Sequence, residues 1–217
     1  MIIAICGLQG SGKDTLGSFF IKNYGFVKLS FAGILKDIVA VLFDWDRELL
    51  EGSTKESREW RETVDKWWSA KLNIQNLTPR WVLQNIGTNV FREHFHQDIW
   101  VKSVERQLSK YNNVIITDCR FQNEYDMLKS NNAYIIKIIR GQEPEWFLEY
   151  QLNSIEPKNI HKSEYSWANF KFDTIVFNNC ALYELEKESF NIYIKCLQID
   201  ESPLCPINSR KNTVEHI

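Results

Sequence analysis

The sequence predicts an α/β domain in which helices cover both faces of a parallel sheet. Five short apolar runs are rich in Val, Ile, Tyr or Phe and lack strict alternation, which is typical of strands buried on both faces. Segments with the helical spacing of apolar residues separate these runs, and strands that alternate with helices indicate a three-layer arrangement. The predicted strands cover residues 2–6, 26–29, 114–117, 134–139 and 174–177.

The glycine-rich stretch GLQGSGKDT at residues 7–15 follows the first predicted strand and predicts a phosphate-binding loop. Glycines allow consecutive backbone N–H groups to point at an anion, and the N-terminus of the next helix adds partial positive charge. Lys13 adds a full charge for the outer phosphates of a nucleoside triphosphate. Asp14 stands where this pattern usually has serine or threonine, and Thr15 follows it. The stretch predicts a P-loop NTPase fold that binds a nucleoside triphosphate.

Composition narrows the class of protein. The chain has 217 residues, of which 44% are hydrophobic and 25% charged, the profile of a folded globular domain. A net charge of −2 argues against a general nucleic-acid-binding surface, and no apolar stretch approaches the roughly 18 residues of a membrane span. Five scattered cysteines without a CxxC pair predict reduced thiols. We therefore expect a soluble cytoplasmic protein with no nucleic-acid or membrane partner.

Two insertions interrupt the alternation of strands and helices. Residues 44–76 contain four tryptophans, which suit a core or a pocket wall, and a run of charged residues predicted to be a solvated helix face. Residues 141–171 are polar, contain two prolines and predict a mobile lid, because water must be excluded when a phosphoryl group moves. We expect one domain over residues 1–198, followed by a poorly ordered tail at 199–217.

The stretch VIITDCRFQNE at residues 114–124 is the second candidate for chemistry. A strand that ends in Asp118 places a carboxylate at the carboxyl edge of the sheet, where doubly wound folds bind ligands. Asp118 there either holds Mg²⁺ or accepts a proton, or else it only caps the next helix. The phosphate loop in the same chain favours the functional role. Arg120 and Glu124 are four residues apart, so we expect them to share one face of the following helix.

The stretch TPRWVLQNIGTNVFR at residues 78–92 predicts a helix that Pro79 opens. Arg80, Gln84 and Gly87 recur at helical spacing and form a polar stripe on it. An arginine grips a phosphate with two parallel hydrogen bonds, and a glutamine side chain reads the edge of a base. Arg92 offers a second anion contact. Solvated residues on an amphipathic helix remain an equal alternative on pattern alone.

Four motifs in one order carry a family resemblance. They are GLQGSGKDT, the TPRWVLQNIGT stretch that continues through an arginine into DIWV at 98–101, TDCRFQNE at 117–124, and HKSE at 161–164. Together they resemble the deoxynucleoside monophosphate kinases of bacteriophages and large DNA viruses. The resemblance covers about residues 1–185, is weak over 44–76 and is absent from the tail. The GKDT ending is itself a feature of that family.

The resemblance implies phosphoryl transfer from ATP, with Mg²⁺, to a deoxynucleoside monophosphate, on a sheet core with a monophosphate-binding helical insertion at 44–98 and a lid at 141–171. The implied ATP-binding residues are Gly10, Ser11, Gly12, Lys13, Asp14 and Thr15. The implied metal-binding residues are Asp14, Thr15 and Asp118. The implied acceptor-binding residues are Arg80, Gln84, Gly87, Arg92, Glu124, His161 and Glu164. The implied catalytic residues are Lys13, Asp118, Arg120 and Arg140, the last in the manner of an arginine finger.

Two other functions fit the same loop. One is another small-molecule kinase of this fold, such as a phosphomevalonate or dephospho-coenzyme A kinase, and the former also tolerates aspartate after the loop lysine. The base-reading Gln84 favours a nucleotide acceptor instead. The other is a non-catalytic nucleotide-binding module, against which the intact Lys13 and Asp118 argue. The expected partners are ATP and a deoxynucleoside monophosphate, with a homodimer left open and the host cytoplasm as the location if the protein is viral.

Overall fold

The computed structural model describes residues 1–200, and these form a three-layer α/β domain around a five-stranded parallel sheet. The strand order is β2-β3-β1-β4-β5, and every neighbouring pair is parallel. The strands are β1 (Ile2–Cys6), β2 (Val27–Leu29), β3 (Val114–Ile116), β4 (Tyr134–Ile139) and β5 (Thr174–Phe177). All five strands predicted from the sequence are thereby confirmed. Two of the three four-residue predictions each lose one residue, Phe26 and Thr117, and the Thr117 hydroxyl bonds to Asp14.

Ten α-helices, one π-helix and one 3-10 turn complete the residues that the structure describes. The helices are α1 (Lys13–Tyr24), α2 (Gly33–Phe43), α3 (Arg47–Glu51), α4 (Lys55–Glu62), α5 (Lys66–Leu72), α6 (Pro79–Gln84), α7 (Ile99–Leu108), α8 (Gln122–Ser130), α9 (Glu145–Asn153) and α10 (Leu182–Asp200). The π-helix is Asn85–Phe95, and the 3-10 turn is Lys162–Glu164. The predicted stripe at 78–92 therefore lies on α6 and the π-helix, not on one α-helix. A π-helix inside a helical run often marks a functional site.

The two faces of the sheet form two separate cores. Alternate residues of β1 point to opposite faces, so Ala4 and Cys6 join one hydrophobic cluster while Ile3 and Ile5 join the other. Helices α7, α8 and α9 cover the first face, and α1 with α10 cover the second. This arrangement leaves the carboxyl ends of β1 and β3 side by side, with the loop at residues 7–15 directly after β1.

The insertion at 44–76 folds as three short helices with a small core of its own. Trp45, Trp60 and Trp68 pack around Phe43, while Trp67 is exposed. Trp68 donates from Nε1 to the Phe43 carbonyl at 3.0 Å. Three of the four tryptophans are thus core residues. They link α4 and α5 to Phe43 at the end of α2, Trp68 directly and Trp60 through Trp45.

The segment at 141–171 is only partly suited to be the mobile lid that its composition predicts. Phe147 and Trp167 belong to the main core and are almost fully buried. Lys137 of β4 lies 2.9 Å from Glu143, and both side chains are largely buried, which anchors the start of the segment. A mobile lid stays a prediction, and these buried contacts would restrict its movement to the stretch between α9 and Trp167, which includes the 3-10 turn.

Within residues 1–200, no helix combines the length and apolar character needed to cross a membrane. The last two residues of α10, Ile199 and Asp200, belong to the region predicted as tail, so the helix runs further than the sequence pattern indicates. The rest of the predicted tail lies outside the described residues.

Candidate active site

The loop between β1 and α1 is built as a phosphate cradle. Gly10 and Gly12 have φ angles of +80° and +99°, in the left-handed region that favours glycine. A Cβ on Gly12 would clash with the side-chain amide of Asn178. That amide donates to the Ser11 carbonyl at 2.9 Å, and the Asn178 backbone N–H donates to Ile139. The residue after β5 thus fixes the loop from outside, a contact that sequence reasoning missed.

Two groups of the loop lack an anionic partner. The buried hydroxyl of Ser11 has no hydrogen-bond partner within the described residues, a cost that a phosphate oxygen would remove. Lys13 donates from Nζ to the carbonyls of Gly7 and Leu8, at 2.7 and 2.8 Å. Burial, together with the nearby positive charge of Arg120, lowers the pKa of Lys13 to about 8. An arriving phosphate would displace only neutral carbonyls from this lysine.

Asp14 is held by two groups that meet at one of its oxygens. Its Oδ1 accepts from Nζ of Lys28 at 3.0 Å and from the Thr117 hydroxyl at 2.8 Å. Burial by itself would raise the pKa of Asp14, but Lys28 and Thr117 outweigh it and hold that pKa below the usual value. Within residues 1–200 no hydrogen bond reaches Oδ2, so this oxygen is available to a ligand.

Two adjoining cavities lie over the loop. One, of about 530 Å³, joins the loop to α2, α4, α6 and the π-helix, and the other, of about 590 Å³, lies between the loop, the end of β4 and the segment after it. Gln9, Arg80 and Arg140 line both. Although the chain is acidic, the first cavity is lined by nine lysines and arginines against five aspartates and glutamates. Such a local excess of positive charge suits a ligand with several phosphates.

Every site residue predicted from the sequence lines one or both cavities, which places them together without testing their roles. On the loop these are Gly10, Ser11, Gly12, Lys13, Asp14 and Thr15. On the facing walls they are Arg80, Gln84, Gly87, Arg92, Asp118, Arg120, Glu124, Arg140, His161 and Glu164.

Asp118 is tied to the turn before α2. Its carboxylate accepts from the Ser30 hydroxyl at 2.7 Å and from the N–H groups of Phe31 and Ala32 at 3.2 and 3.0 Å. The alternative that Asp118 caps the helix next in sequence is wrong, because its bonds go to the turn before α2. The three bonds fix the floor of the cavity beneath the loop.

The spacing of Arg120 and Glu124 predicts that they share a helix face, but in the structure they do not. Arg120 precedes α8, and its backbone N–H donates to Oε2 of Glu124 at 2.7 Å. Oε1 accepts from Arg92 at 2.7 Å, and Glu124 is almost fully buried. Burial raises the pKa of Glu124, while Arg92 opposes that rise. Both oxygens therefore bond to the protein itself, and Glu124 orients Arg92, which also stacks over Phe121.

The 3-10 turn closes the cavity from above. Arg120 donates to Oε1 of Glu164 at 2.7 Å and to the carbonyl of Ser163 at 3.3 Å. Nδ1 of His161 contacts the Ser163 hydroxyl at 2.9 Å. Burial, reinforced by the positive charges of Arg120 and Arg80, lowers the pKa of His161, which favours a neutral imidazole. The ion pair between Arg120 and Glu164 thus joins the β3–α8 loop to the turn.

Gly87 explains a close approach between helices. A Cβ there would stand 2.6 Å from Cδ2 of Leu35, so glycine lets the π-helix approach α2. Its carbonyl accepts from the indole N–H of Trp100 at 3.0 Å. Packing alone accounts for glycine at this position, which the sequence had suggested for approach to a ligand.

Arg61 is the main wall residue that sequence reasoning missed, since it was taken for part of a solvated helix face. Its guanidinium lies against Gly52 and, beside Arg80, lines the first cavity, of about 530 Å³. Burial, with the positive charge of Arg80, lowers the pKa of Arg61. Within residues 1–200 it has no ion pair, and its Nε is buried without a hydrogen bond. Such a group is prepared for an anion.

Comparison with known proteins identifies the family. The family model described as deoxynucleotide monophosphate kinase matches residues 48–188, well over half of the chain. This chain belongs to the deoxynucleotide monophosphate kinase family. The match includes residues 48–76 of the insertion at 44–76. The chain is accordingly a kinase, and neither another small-molecule kinase nor a non-catalytic module is favoured.

Named relatives come from viruses. A protein of Acanthamoeba polyphaga mimivirus, named for the same activity, is 30% identical over 85% of this chain and 91% of its own length. The deoxynucleotide monophosphate kinase of Enterobacteria phage T4 is 24% identical over 65% of this chain and 83% of its own. The deoxynucleoside-5'-monophosphate kinase of Escherichia phage T5 is 36% identical over 61% of this chain and 73% of its own. A dephospho-CoA kinase structure from Campylobacter jejuni has a TM-score of 0.47 at 15% identity over 92% of this chain and 98% of its own, too distant to bear on the acceptor.

Proposed function

We propose that this kinase transfers the γ-phosphoryl group of ATP, accompanied by Mg²⁺, to the 5′-phosphate of a deoxynucleoside monophosphate in the cytoplasm of an infected cell. One observation carries the proposal: a cavity rich in positive charge connects the phosphate loop to an arginine wall, which consists of Arg61 on α4, Arg80 on α6 and Arg92 on the π-helix. Two phosphate-bearing substrates that must meet end to end require such a cavity.

On the donor side, the backbone of residues 10–13 and the Lys13 ammonium bind the β- and γ-phosphates. The N-terminus of α1 points at the same place and adds its partial positive charge. The orphaned Ser11 hydroxyl and the carbonyl-bound Lys13 support this assignment, because both gain a partner when a phosphate enters.

On the acceptor side, Arg61 and Arg80 bind the 5′-phosphate, and Arg92 adds a third positive charge. Arg80 is paired with the exposed Glu62 at 3.0 Å, a weak partner that a doubly charged phosphate would replace. Gln84 lines both cavities and is placed to read the edge of a base. The second cavity offers the ring of Trp146 as a flat apolar surface for a nucleobase.

For the transfer itself, an oxygen of the acceptor phosphate forms the new bond to the γ-phosphorus while the bond to the β–γ bridging oxygen breaks and ADP leaves. The acceptor oxygen is already ionised at neutral pH, so no general base is needed. Arg120 and the exposed Arg140 line the junction and stabilise the charge on the phosphoryl group in flight. The contact between Arg120 and Glu164 excludes water by holding the 3-10 turn over the reacting groups.

The residues present fit a hard divalent cation. The free Oδ2 of Asp14 and the hydroxyl of Thr15 lie at the loop, and Asp118 lies across the cavity with its oxygens partly engaged. Oxygen ligands of this kind suit Mg²⁺, which keeps several waters and is bound by one or two carboxylates together with phosphates. The cation would neutralise negative charge on the donor phosphates.

Release of ADP from ATP and Mg²⁺ tests the proposal, with dAMP, dCMP, dGMP, dTMP and their ribose counterparts as acceptors. We expect turnover with some deoxynucleotides and a loss of about 10³-fold in kcat/KM for Lys13→Ala, since the lysine stabilises charge on the transferred group. Matched thermal unfolding of the variant shows that the fold is intact. Silence with every acceptor, while ATP still binds, would contradict the proposal.

A further inference from the structure

A carboxylate in a phosphate loop creates an electrostatic problem. Asp14 directly follows Lys13 at the start of α1, where the other groups of the loop attract anions. Like charges a few ångströms apart repel strongly in a partly dehydrated site. Something in the protein must therefore offset Asp14 if the loop is to bind phosphates well.

Lys28 is the group placed to do so. It lies on β2, an edge strand, where an exposed lysine ordinarily only discourages pairing with another sheet. Here Nζ instead lies 3.0 Å from Oδ1 of Asp14 and lines the cavity over the loop. Thr117, at the end of β3, donates to the same oxygen, so two neighbouring strands fix the Asp14 carboxylate.

The other charges around Lys28 are already engaged. Glu51 lies 2.6 Å from Lys36 and 2.7 Å from Arg47. Asp118 accepts its three bonds from the turn before α2. Within residues 1–200, Asp14 is the only ion-pair partner of Lys28. Both side chains are substantially exposed, at 43% and 66%, so the pair adds little to the stability of the fold.

We propose that Lys28 is a positioning residue for the phosphate loop: it offsets the charge of Asp14 and holds Oδ1, which allows a carboxylate to stand beside the bound phosphates. The proposal rests on the proposed function only in that a nucleotide occupies the loop. Its effect should appear in nucleotide affinity and should depend on Asp14 being present.

A double-mutant cycle on ADP affinity tests this, measured calorimetrically in EDTA so that no metal supplies the missing charge. The variants are Lys28→Met, Asp14→Ser and the pair together, with Lys22→Met on the exposed side of α1 as the matched control. We expect Lys28→Met to weaken ADP binding about tenfold, and Asp14→Ser to strengthen it. In the Asp14→Ser background the lysine change should cost less than about twofold, and Lys28→Arg should restore most of the affinity.

Three results would overturn the inference. An equal loss in both backgrounds would mean that Lys28 contacts the phosphates itself. No loss in either background would leave Lys28 as an edge-strand charge. Failure of the wild-type protein to bind ADP, with or without Mg²⁺, would remove the proposed function together with the inference. Thermal unfolding curves that coincide for all variants show that folding is not the cause.

Discussion

The phosphate loop and the arginine wall that faces it are built in opposite ways. Lys13 is positioned by carbonyls five and six residues away along the chain, at Leu8 and Gly7. The wall is positioned by contacts between distant segments, such as Arg92 with Glu124, which are 32 residues apart. Lys13 is therefore positioned within its own loop, whereas the wall exists only when α4, the π-helix and α8 are all in place.

The difference also concerns charge. Arg80, Arg92 and Arg120 each have a carboxylate partner, whereas Lys13 has only neutral carbonyls and Arg61 has no ion pair within residues 1–200. On the proposed function, an acceptor phosphate must compete with carboxylates for the paired arginines, whereas at Arg61 it competes only with the Leu50 carbonyl, 3.5 Å from Nη1. The presence or absence of an ion pair thus distinguishes arginines that stabilise the structure from Arg61, which we expect to bind a ligand.

Arg92→Met breaks the wall at its most buried point and should have the largest effect. It leaves Glu124 buried without its counterion, and we expect a loss of about 3 kcal/mol in the free energy of unfolding. The two N–H groups that still bond Glu124 limit the loss. Urea unfolding measures it. Lys102→Met, which removes an exposed ion pair with Glu105, is the control and should cost less than about 0.5 kcal/mol. Equal losses for Arg92→Met and Lys102→Met would show that the buried ion pair stabilises the fold no more than an exposed one.

Arg61→Gln should weaken binding without weakening the fold. We expect the KM for the deoxynucleoside monophosphate to rise about 30-fold, with the KM for ATP changed less than about twofold, because the guanidinium serves only the acceptor phosphate. Steady-state kinetics with each substrate varied in turn measures both constants.

Lys55→Gln is the control for Arg61, because it removes one positive charge from the same helix at an exposed position. It should leave both KM values unchanged. If the KM for ATP rises as much as the KM for the acceptor, Arg61 contacts both substrates, and its assignment to the acceptor side is wrong.

The phosphate loop could be predicted from the sequence because its defining residues lie next to one another in the chain. Glycines at fixed positions, Lys13 and a preceding apolar strand mark the loop in the sequence, although Asn178 also braces it from a distant part of the chain. The five strands were also predictable, since burial on both faces leaves a continuous apolar run. Thr117 lies just beyond the strand, and its hydroxyl bonds to Asp14, a contact over 103 residues that no local pattern shows.

The wall could be predicted only as a set of residues, not as an arrangement. Arg61 and Arg58 lie in the same charged run and both line the cavity, but only Arg61 is partly buried, on a helix that packs against α3 and α6. Glu124 looked like a helix-surface residue because its three partners come from Arg92 and the turn before α8. Asn178 reaches the loop from β5, 167 residues from Ser11. These positions depend on tertiary contacts, which helical and strand spacing do not encode.

A pH series separates the loop from the wall, because arginines stay protonated and Lys13 does not. Its pKa of about 8 in the free protein should rise when phosphates surround it. Below pH 8 both states carry the proton, so ADP affinity is constant. Above pH 8 binding must first restore the proton, so affinity should fall about tenfold per pH unit. Calorimetry in buffers of different ionisation enthalpy measures the accompanying proton uptake. Lys13→Arg, which remains charged, should abolish both effects, and a flat wild-type profile would place the phosphates away from Lys13.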